Sequence, residues 1–160
     1  MIKTGLFPGK FDPPTLGHLE IIERAAKLCA QLYVGVFDNK SGKACCFSAE
    51  ERVELLLIAC QEMRNVHIVP FSGLAVDCAA SVSADCLIRG LRNGNDFIYE
   101  QQMACSNHAL TGIETLFLSC SPQLMHLNAT LVKEIASHGK CLTGFVPDTI
   151  ERQVLAKLYQ

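Results

Sequence analysis

The residues best suited to chemistry cluster near the N-terminus, in the run Pro8-Gly9-Lys10-Phe11-Asp12-Pro13-Pro14-Thr15-Leu16-Gly17-His18. The run follows an apolar stretch, Ile2 to Phe7, that reads as a buried strand. It leads into a helical pattern with Leu16, Leu19, Ile22, Ala26 and Cys29 on one stripe. A glycine and a histidine at a helix mouth, directly after a first strand, make an anion site, because backbone N–H groups and the positive end of the helix dipole converge there. Gly17 leaves room for a phosphate, and His18 adds a donor that reaches a phosphoryl oxygen. The chemistry indicated is that of phosphates. A second cluster, Ile88-Arg89-Gly90-Leu91-Arg92, follows another short apolar run. Two arginines bracketing a glycine suit a phosphate, and their bland alternative is a solvated strand end.

These groups need a frame to hold them. Strand-like runs recur at Ile2 to Phe7, Leu32 to Phe37, Val66 to Pro70, Cys86 to Arg89 and Thr115 to Ser119. Helical patterns lie between them. One opens on Ser48-Ala49-Glu50-Glu51, a capping box leading into Val53, Leu56, Leu57 and Cys60. Others run from Leu74 to Val82, Asp96 to Leu110 and Asn128 to Ser137, with a last one after Pro147-Asp148. Such alternation predicts an α/β fold with a parallel sheet covered on both faces, here as one domain over residues 1–160. Ligands of these sheets bind outside the carboxyl ends of the strands, and each motif sits just after a strand. The segment Asp38 to Cys46, with Lys40 and Lys43, reads as a loop. Neither Gly-x-Gly-x-x-Gly after a strand nor Gly-x-x-x-x-Gly-Lys-Ser/Thr occurs, so dehydrogenase and P-loop readings lose their main support.

Composition narrows the partners. Charged residues make up 19% and hydrophobic ones 49% of the 160 residues, which excludes a disordered chain. A net charge of −2 argues against general nucleic-acid binding, since no excess of cations is available to displace counterions. The nine cysteines are odd in number and form no Cys-x-x-Cys pair, and Cys45 and Cys46 are adjacent. Cys29, Cys60, Cys78, Cys86 and Cys105 lie within apolar patterns, where a free thiol behaves as a small hydrophobe. Free thiols, no signal-like opening segment and no apolar run of membrane-spanning length together predict a protein of the reducing cytoplasm, with no membrane partner. His67 sits in a strand-like run, and His108 and His138 fall near helix ends. No histidines or carboxylates have convincing metal-ligand spacing, so no protein-held metal is expected.

Thr15-Leu16-Gly17-His18 resembles the (His/Thr)-x-Gly-His signature of the nucleotidyltransferase superfamily of Rossmann-like α/β proteins. The longer string from Pro8 narrows the resemblance to the phosphopantetheine adenylyltransferases. Arg89-Gly90-Leu91-Arg92 followed by Asp96-Phe97-Ile98-Tyr99-Glu100 agrees, as do Phe47 to Arg52 and Leu131-Val132-Lys133-Glu134. The resemblance implies a doubly wound, five-stranded parallel sheet with helices on both faces. It implies transfer of AMP from ATP to 4′-phosphopantetheine, giving dephospho-coenzyme A and pyrophosphate, with Mg²⁺ carried in on ATP and a homohexameric assembly. On the same resemblance His18 stabilises the transition state at the α-phosphate. Lys10, Phe11, Gly17, Gly90, Leu91, Arg92, Glu100 and the segment Leu124-Met125-His126-Leu127-Asn128-Ala129-Thr130 join it in binding ATP, and Lys10, Lys43, Ala75 and Arg89 bind the acceptor. Position alone makes Glu100 a helix-surface carboxylate, His18 a cap of its own helix, and Lys40 and Lys43 solvated loop lysines.

Adenylyl transfer to a phosphate monoester asks for placement and charge, because the acceptor phosphate is already a nucleophile and needs no general base. Three departures from the family pattern bear on this. Lys10 stands where a Thr or Ser hydroxyl is usual, Leu127-Asn128-Ala129-Thr130 replaces Ile-Ser-Ser-Ser, and Pro14 replaces an apolar residue. Asn128 retains the capacity to cap its helix, whereas Ala129 has lost a hydroxyl. The alternatives are another small-molecule nucleotidyltransferase, against which the Arg89 to Glu100 string argues, and a nucleotide- or coenzyme A-binding protein with impaired turnover.

Overall fold

The computed structural model describes residues 1–38 and 45–159. Five strands, β1 (Ile2–Gly9), β2 (Cys29–Phe37), β3 (Val66–Phe71), β4 (Cys86–Leu91) and β5 (Glu114–Ser119), form one parallel sheet in the order β3-β2-β1-β4-β5. The chain winds outward from β1 through β2 to β3, then returns and winds the other way through β4 to β5. All five apolar runs are strands, and each strand outlasts its run. β1 continues through Pro8 and Gly9, paired with Gly35 and Val36, so motif residues lie on the strand end itself.

Pro8 marks where the sheet opens. β1 pairs with β4 only at Gly5↔Cys86 and Leu6↔Leu87, although both strands run further. Proline has no N–H for a ladder bond, so it suits the stretch where β1 leaves β4. The divergence creates a crevice at the switch point of the doubly wound sheet, where such folds bind ligands.

Six helices cover the described sheet: α1 (Leu16–Leu28), α2 (Ala49–Ala59), α3 (Ala75–Ser81), α4 (Gly94–Thr111), α5 (Ala129–Ser137) and α6 (Asp148–Leu158). Successive strand residues point to opposite faces. Phe7 and Ile88 therefore pack with Ile21, Ile22 and Ala25 of α1 and Leu56 of α2, whereas Leu6 and Leu87 pack with Cys78 and Ala79 of α3. The buried stripe of α1 is Ile21, Ile22 and Ala25; Leu19 and Ala26 are half-buried beside it, and Cys29 already begins β2. Truncating Ile22, which is wholly buried, to alanine removes core volume worth about 2–5 kcal/mol. A further cluster of Phe47, Leu55, Val132, Ala136, Leu142, Val146, Ile150 and Val154 locks α2, α5 and α6 together and seats the start of α5 beside the crevice.

The caps follow their sequence signals. Ser48 and Glu51 form the expected capping box, and Asn128 accepts the Leu131 N–H at 2.8 Å. All nine cysteines are free; Cys29, Cys60, Cys78 and Cys86 are buried, but Cys105 is exposed. Cys105 departs from expectation because α4 turns most of its apolar residues outward, and Glu100 is its one buried residue.

Candidate active site

The crevice widens into a cleft of about 560 Å³, floored by the ends of β1 and β4 and by the start of α1. Lys10, Phe11, Gly17, His18, Arg89, Gly90, Arg92, Glu100, Leu127, Asn128, Ala129 and Thr130 all line it. Chain segments far apart in sequence thus converge, as parallel-sheet topology requires.

His18 is held by the first turn of its helix. Thr15 is the N-cap; its hydroxyl accepts the His18 N–H at 3.3 Å, and its own N–H donates to His18 Nδ1 at 3.0 Å. This is a capping box with histidine where Glu or Gln is usual. Because Nδ1 accepts, the neutral ring carries its proton on Nε2. Burial, with the charges of Arg92 and Arg89 adding to it, lowers the His18 pKa from 6.5 to about 4. The ring is therefore a neutral hydrogen-bond donor near pH 7. The capping reading of His18 holds at Nδ1, and it leaves Nε2 as the ring's donor at the cleft. Phe11 packs edge-on to the imidazole at 5.1 Å and to Phe7 at 5.5 Å, fixing the ring plane.

The two arginines are each gripped by a carboxylate on α4. Arg89 donates from Nε and Nη2 to Glu100 at 2.7 and 2.6 Å, and from Nη1 to the Pro8 carbonyl. Arg92 donates from Nε and Nη2 to Asp96 at 2.8 and 3.0 Å, and its backbone N–H reaches the same carboxylate at 3.1 Å. Burial works against ionisation of Asp96, but the Arg92 hydrogen bonds outweigh it and hold the carboxyl below its usual range. Bidentate pairing orients each planar guanidinium and leaves its remaining donors directed elsewhere. Four cations (Lys10, Arg89, Arg92, Lys133) and three carboxylates (Asp12, Asp96, Glu100) line the cleft, an excess of positive charge that suits a polyanion. Glu100 is thus no surface carboxylate; it is buried against Arg89.

Gly17 has a chemical meaning. A Cβ there would lie 3.6 Å from the Thr15 hydroxyl and 4.0 Å from the Leu124 carbonyl, which is ordinary contact. Packing within the chain does not demand glycine there, and the space beside it opens on the cleft. Gly9 is different, because a Cβ there would meet the Phe11 ring at 2.8 Å. Cys120 forms part of the cleft wall; burial and the neighbouring Glu20 push its thiol up to about 11, so it stays protonated.

The remaining expected site residues are placed less centrally. Leu91, Leu124, Met125 and His126 do not line the cleft. Ala75 lines a smaller neighbouring pocket of about 90 Å³ that shares Pro8, Arg89 and Glu100 with it. Lys43 and Lys40 lie outside the described residues. Sequence reasoning gave no chemical part to Asp12, Arg52, Asp96 or Lys133. Asp12 accepts the N–H groups of Cys46 and Phe47 at 3.1 and 2.9 Å and pairs with Lys133 at 3.2 Å. Its position in the motif was the available signal, but a contact across 121 residues has no local signature.

A cation-lined crevice at a doubly wound switch point, with a helix N-terminus and a neutral imidazole donor at its floor, defines a nucleotide-handling protein of the Rossmann-like α/β class. Comparison with known proteins agrees. Residues 6–137 match the cytidylyltransferase-like family model. The fold is shared with a protein from Vibrio parahaemolyticus provisionally described as a nicotinate-nucleotide adenylyltransferase, at a TM-score of 0.68, 16% identity, and coverage of 97% of this chain and 99% of that one. It is shared also with a bifunctional NMN adenylyltransferase/ADP ribose pyrophosphatase from Francisella tularensis, at a TM-score of 0.72, 15% identity, and coverage of 99% and 52%. Among curated relatives, the phosphopantetheine adenylyltransferase of Lachnoclostridium phytofermentans is 45% identical over 98% of this chain and 96% of its own. That of Caldanaerobacter subterraneus subsp. tengcongensis is 43% identical over 98% of each. The chain belongs to the phosphopantetheine adenylyltransferase family.

Proposed function

We propose that this protein transfers the adenylyl group of MgATP to 4′-phosphopantetheine, releasing pyrophosphate and forming dephospho-coenzyme A. The observation that carries the reading is the His18 geometry. A phosphate oxygen of the acceptor attacks the α-phosphorus, that P–O bond forms, and the bond to the pyrophosphate oxygen breaks. Negative charge builds on the α-phosphoryl and bridging oxygens as it does. A donor already oriented by Thr15, neutral and desolvated, stabilises that charge without reorganising and without a proton transfer. The N–H groups at the start of α1 and the Arg92 guanidinium act on the ATP phosphates. Arg89 lines both the large cleft and the small pocket, which supports a part for it at the acceptor phosphate. The small pocket adds Ala75, Leu87, Tyr99 and Met103, an apolar lining suited to the pantetheine arm. The start of α5, from Asn128 to Thr130, supplies backbone donors to the nucleotide, so the missing hydroxyl at Ala129 costs one contact and not the site. Among the described residues no group of three or more His, Cys, Asp or Glu is arranged to hold a metal, and Mg²⁺ enters bound to the ATP phosphates.

The test is direct. Purified protein with MgATP and phosphopantetheine should release pyrophosphate in equal amount to dephospho-coenzyme A. Nicotinamide mononucleotide or glycerol phosphate as acceptor, and CTP as donor, should give far less. Saturable binding of both substrates without product would replace the enzyme by a binding protein.

The assembly belongs to the same reading. Helix α4 buries only Glu100 within the chain while exposing Ile98, Tyr99, Met103 and Leu110, and Leu116 on the edge strand β5 is exposed next to it. An apolar face of that kind supports burial against further copies, six of them on the family resemblance. Light scattering after gel filtration should give the mass of a hexamer, and a monomer at micromolar concentration would defeat it. Nine free thiols support a cytoplasmic location, and no described helix is long and apolar enough to cross a membrane.

A further inference from the structure

Arg52 is the largest side chain wholly buried in the described protein, at 1% exposure, and it does not line the cleft. No described carboxylate pairs with it; its described partners are backbone carbonyls. Its Nε donates to Phe47 O and Ser48 O at 3.1 and 3.2 Å, and its Nη1 donates to Lys10 O and Phe37 O at 2.7 and 2.8 Å. One guanidinium therefore fastens the turn after β1, the end of β2 and the entry of α2 to one another. Burying an unpaired cation is expensive, so this contact is a poor device for stability alone.

What it fixes is the peptide between Lys10 and Phe11. A trans peptide is planar and its C=O and N–H point in opposite directions. With the Lys10 carbonyl turned toward Arg52, the Phe11 N–H is turned away from it. Lys10 and Phe11 line the cleft, and no described residue accepts the Phe11 N–H. Phe11 itself has φ +52°, a left-handed conformation that is costly for a bulky residue and persists only where surroundings enforce it. The buried ring between Phe7 and His18 holds one side of this residue, and the Arg52 bond holds the other.

We infer that Arg52 is a positioning residue, which turns the Lys10–Phe11 peptide so that the Phe11 N–H donates to a nucleotide phosphate from the wall of the cleft. The inference rests on the nucleotide-binding reading of the cleft. It explains how a phosphate turn works with Lys10 in place of a hydroxyl, since the donor that matters is a backbone group set from behind. Arg52→Lys keeps the charge but gives up the planar fork that spans several carbonyls.

The test compares a ligand with phosphates and one without. In Arg52→Lys, the dissociation constant for MgATP should rise at least fivefold, while that for adenosine stays within twofold of the unaltered protein. Equal weakening of both ligands, or unchanged binding of both with a lowered melting temperature, would reduce Arg52 to a structural prop. Should the variant not fold, the amide resonance of Phe11 in the unaltered protein decides. It should shift downfield on titration with MgATP and hardly move with adenosine, and equal responses overturn the inference. Pyrophosphate release is measured separately, so absent turnover with intact MgATP-specific effects strikes the proposed reaction and leaves Arg52 in place.

Discussion

The turn from β1 into α1 and the outer face of α4 are built on opposite plans. In the turn, the polar groups around His18 are tied within the chain: Thr15 to His18, Asp12 to Phe47 and Lys133, and the Lys10 carbonyl to Arg52. Along α4, one residue of eighteen is buried, and tyrosine, methionine and leucine side chains face outward. The difference separates two kinds of constraint. A group that must meet developing charge is fixed from several sides before the ligand arrives, because orientation supplied in advance need not be supplied during the reaction. A face built for contact with another surface, as proposed for α4, needs only area and shape. Glu100 joins the two plans, as the inward residue of an outward helix that grips Arg89 from the α4 side.

The sharpest way to break the comparison is at its most constrained atom. His18→Ala removes the Nε2 donor and should lower kcat by about a hundredfold or more, with dissociation constants for MgATP and phosphopantetheine changed much less. Pyrophosphate release under saturating substrate measures it. A near-normal kcat would strip the turn of its catalytic part.

Constraint on the imidazole also has a pH signature. The His18 pKa is lowered by burial and by two arginines to about 4, against 6.5 in an unfolded chain. The unfolded chain therefore binds the proton first on acidification, and the stability from keeping the ring neutral is present above pH 6.5 and lost as pH falls through about 4. At ~1.4 kcal/mol per tenfold in proton affinity this amounts to about 3 kcal/mol. Urea unfolding of the ligand-free protein should show this loss between those limits, and His18→Gln should flatten that part of the profile. An identical slope in both would mean the ring is not held neutral.

Arg89 tests whether the α4 side acts on chemistry or only on shape. Arg89→Ala should weaken phosphopantetheine by about tenfold to a hundredfold, the worth of one well-desolvated charge-assisted contact, and leave MgATP closer to normal. Calorimetric titration of each ligand separates them. Equal losses would show that the Glu100–Arg89 pair shapes the whole cleft instead of serving one substrate.

The same contrast governs how much could be read from sequence. The strands were legible because a buried parallel sheet needs continuous apolar runs, and the Ser48 and Asn128 caps because their donors and acceptors lie three residues apart. His18, Arg89 and Arg92 were legible as residues of one cleft by type and placement. Hidden were the groups that hold them. Asp12 meets Lys133, and Arg52 meets Lys10, across separations that no local period encodes. Position misled at Glu100, which lies at the surface by helical spacing alone but is covered once β4 delivers Arg89 beside it. Cys105 misled the other way, being apolar in pattern and exposed because α4 turns its apolar side outward.

Lys10 is the smallest and most informative place to press, because it departs from the family pattern inside the most constrained segment. Its carbonyl is fixed by Arg52, yet its side chain is exposed at the cleft. Backbone and side chain therefore make separable contributions. An ammonium on a four-carbon stem cannot copy a threonine hydroxyl, but it can fold back on a phosphate as a charge. Lys10→Ala leaves the peptide in place and should weaken MgATP or phosphopantetheine by about tenfold, with a shallower dependence on salt because one screened charge contact is gone. Lys10→Thr should recover part of the affinity but not the salt dependence, since a neutral donor replaces a charged one. If Lys10→Ala leaves affinity, turnover and salt dependence unchanged, the side chain belongs to solvent. The phosphate contacts of this turn would then come from its backbone and from His18 alone.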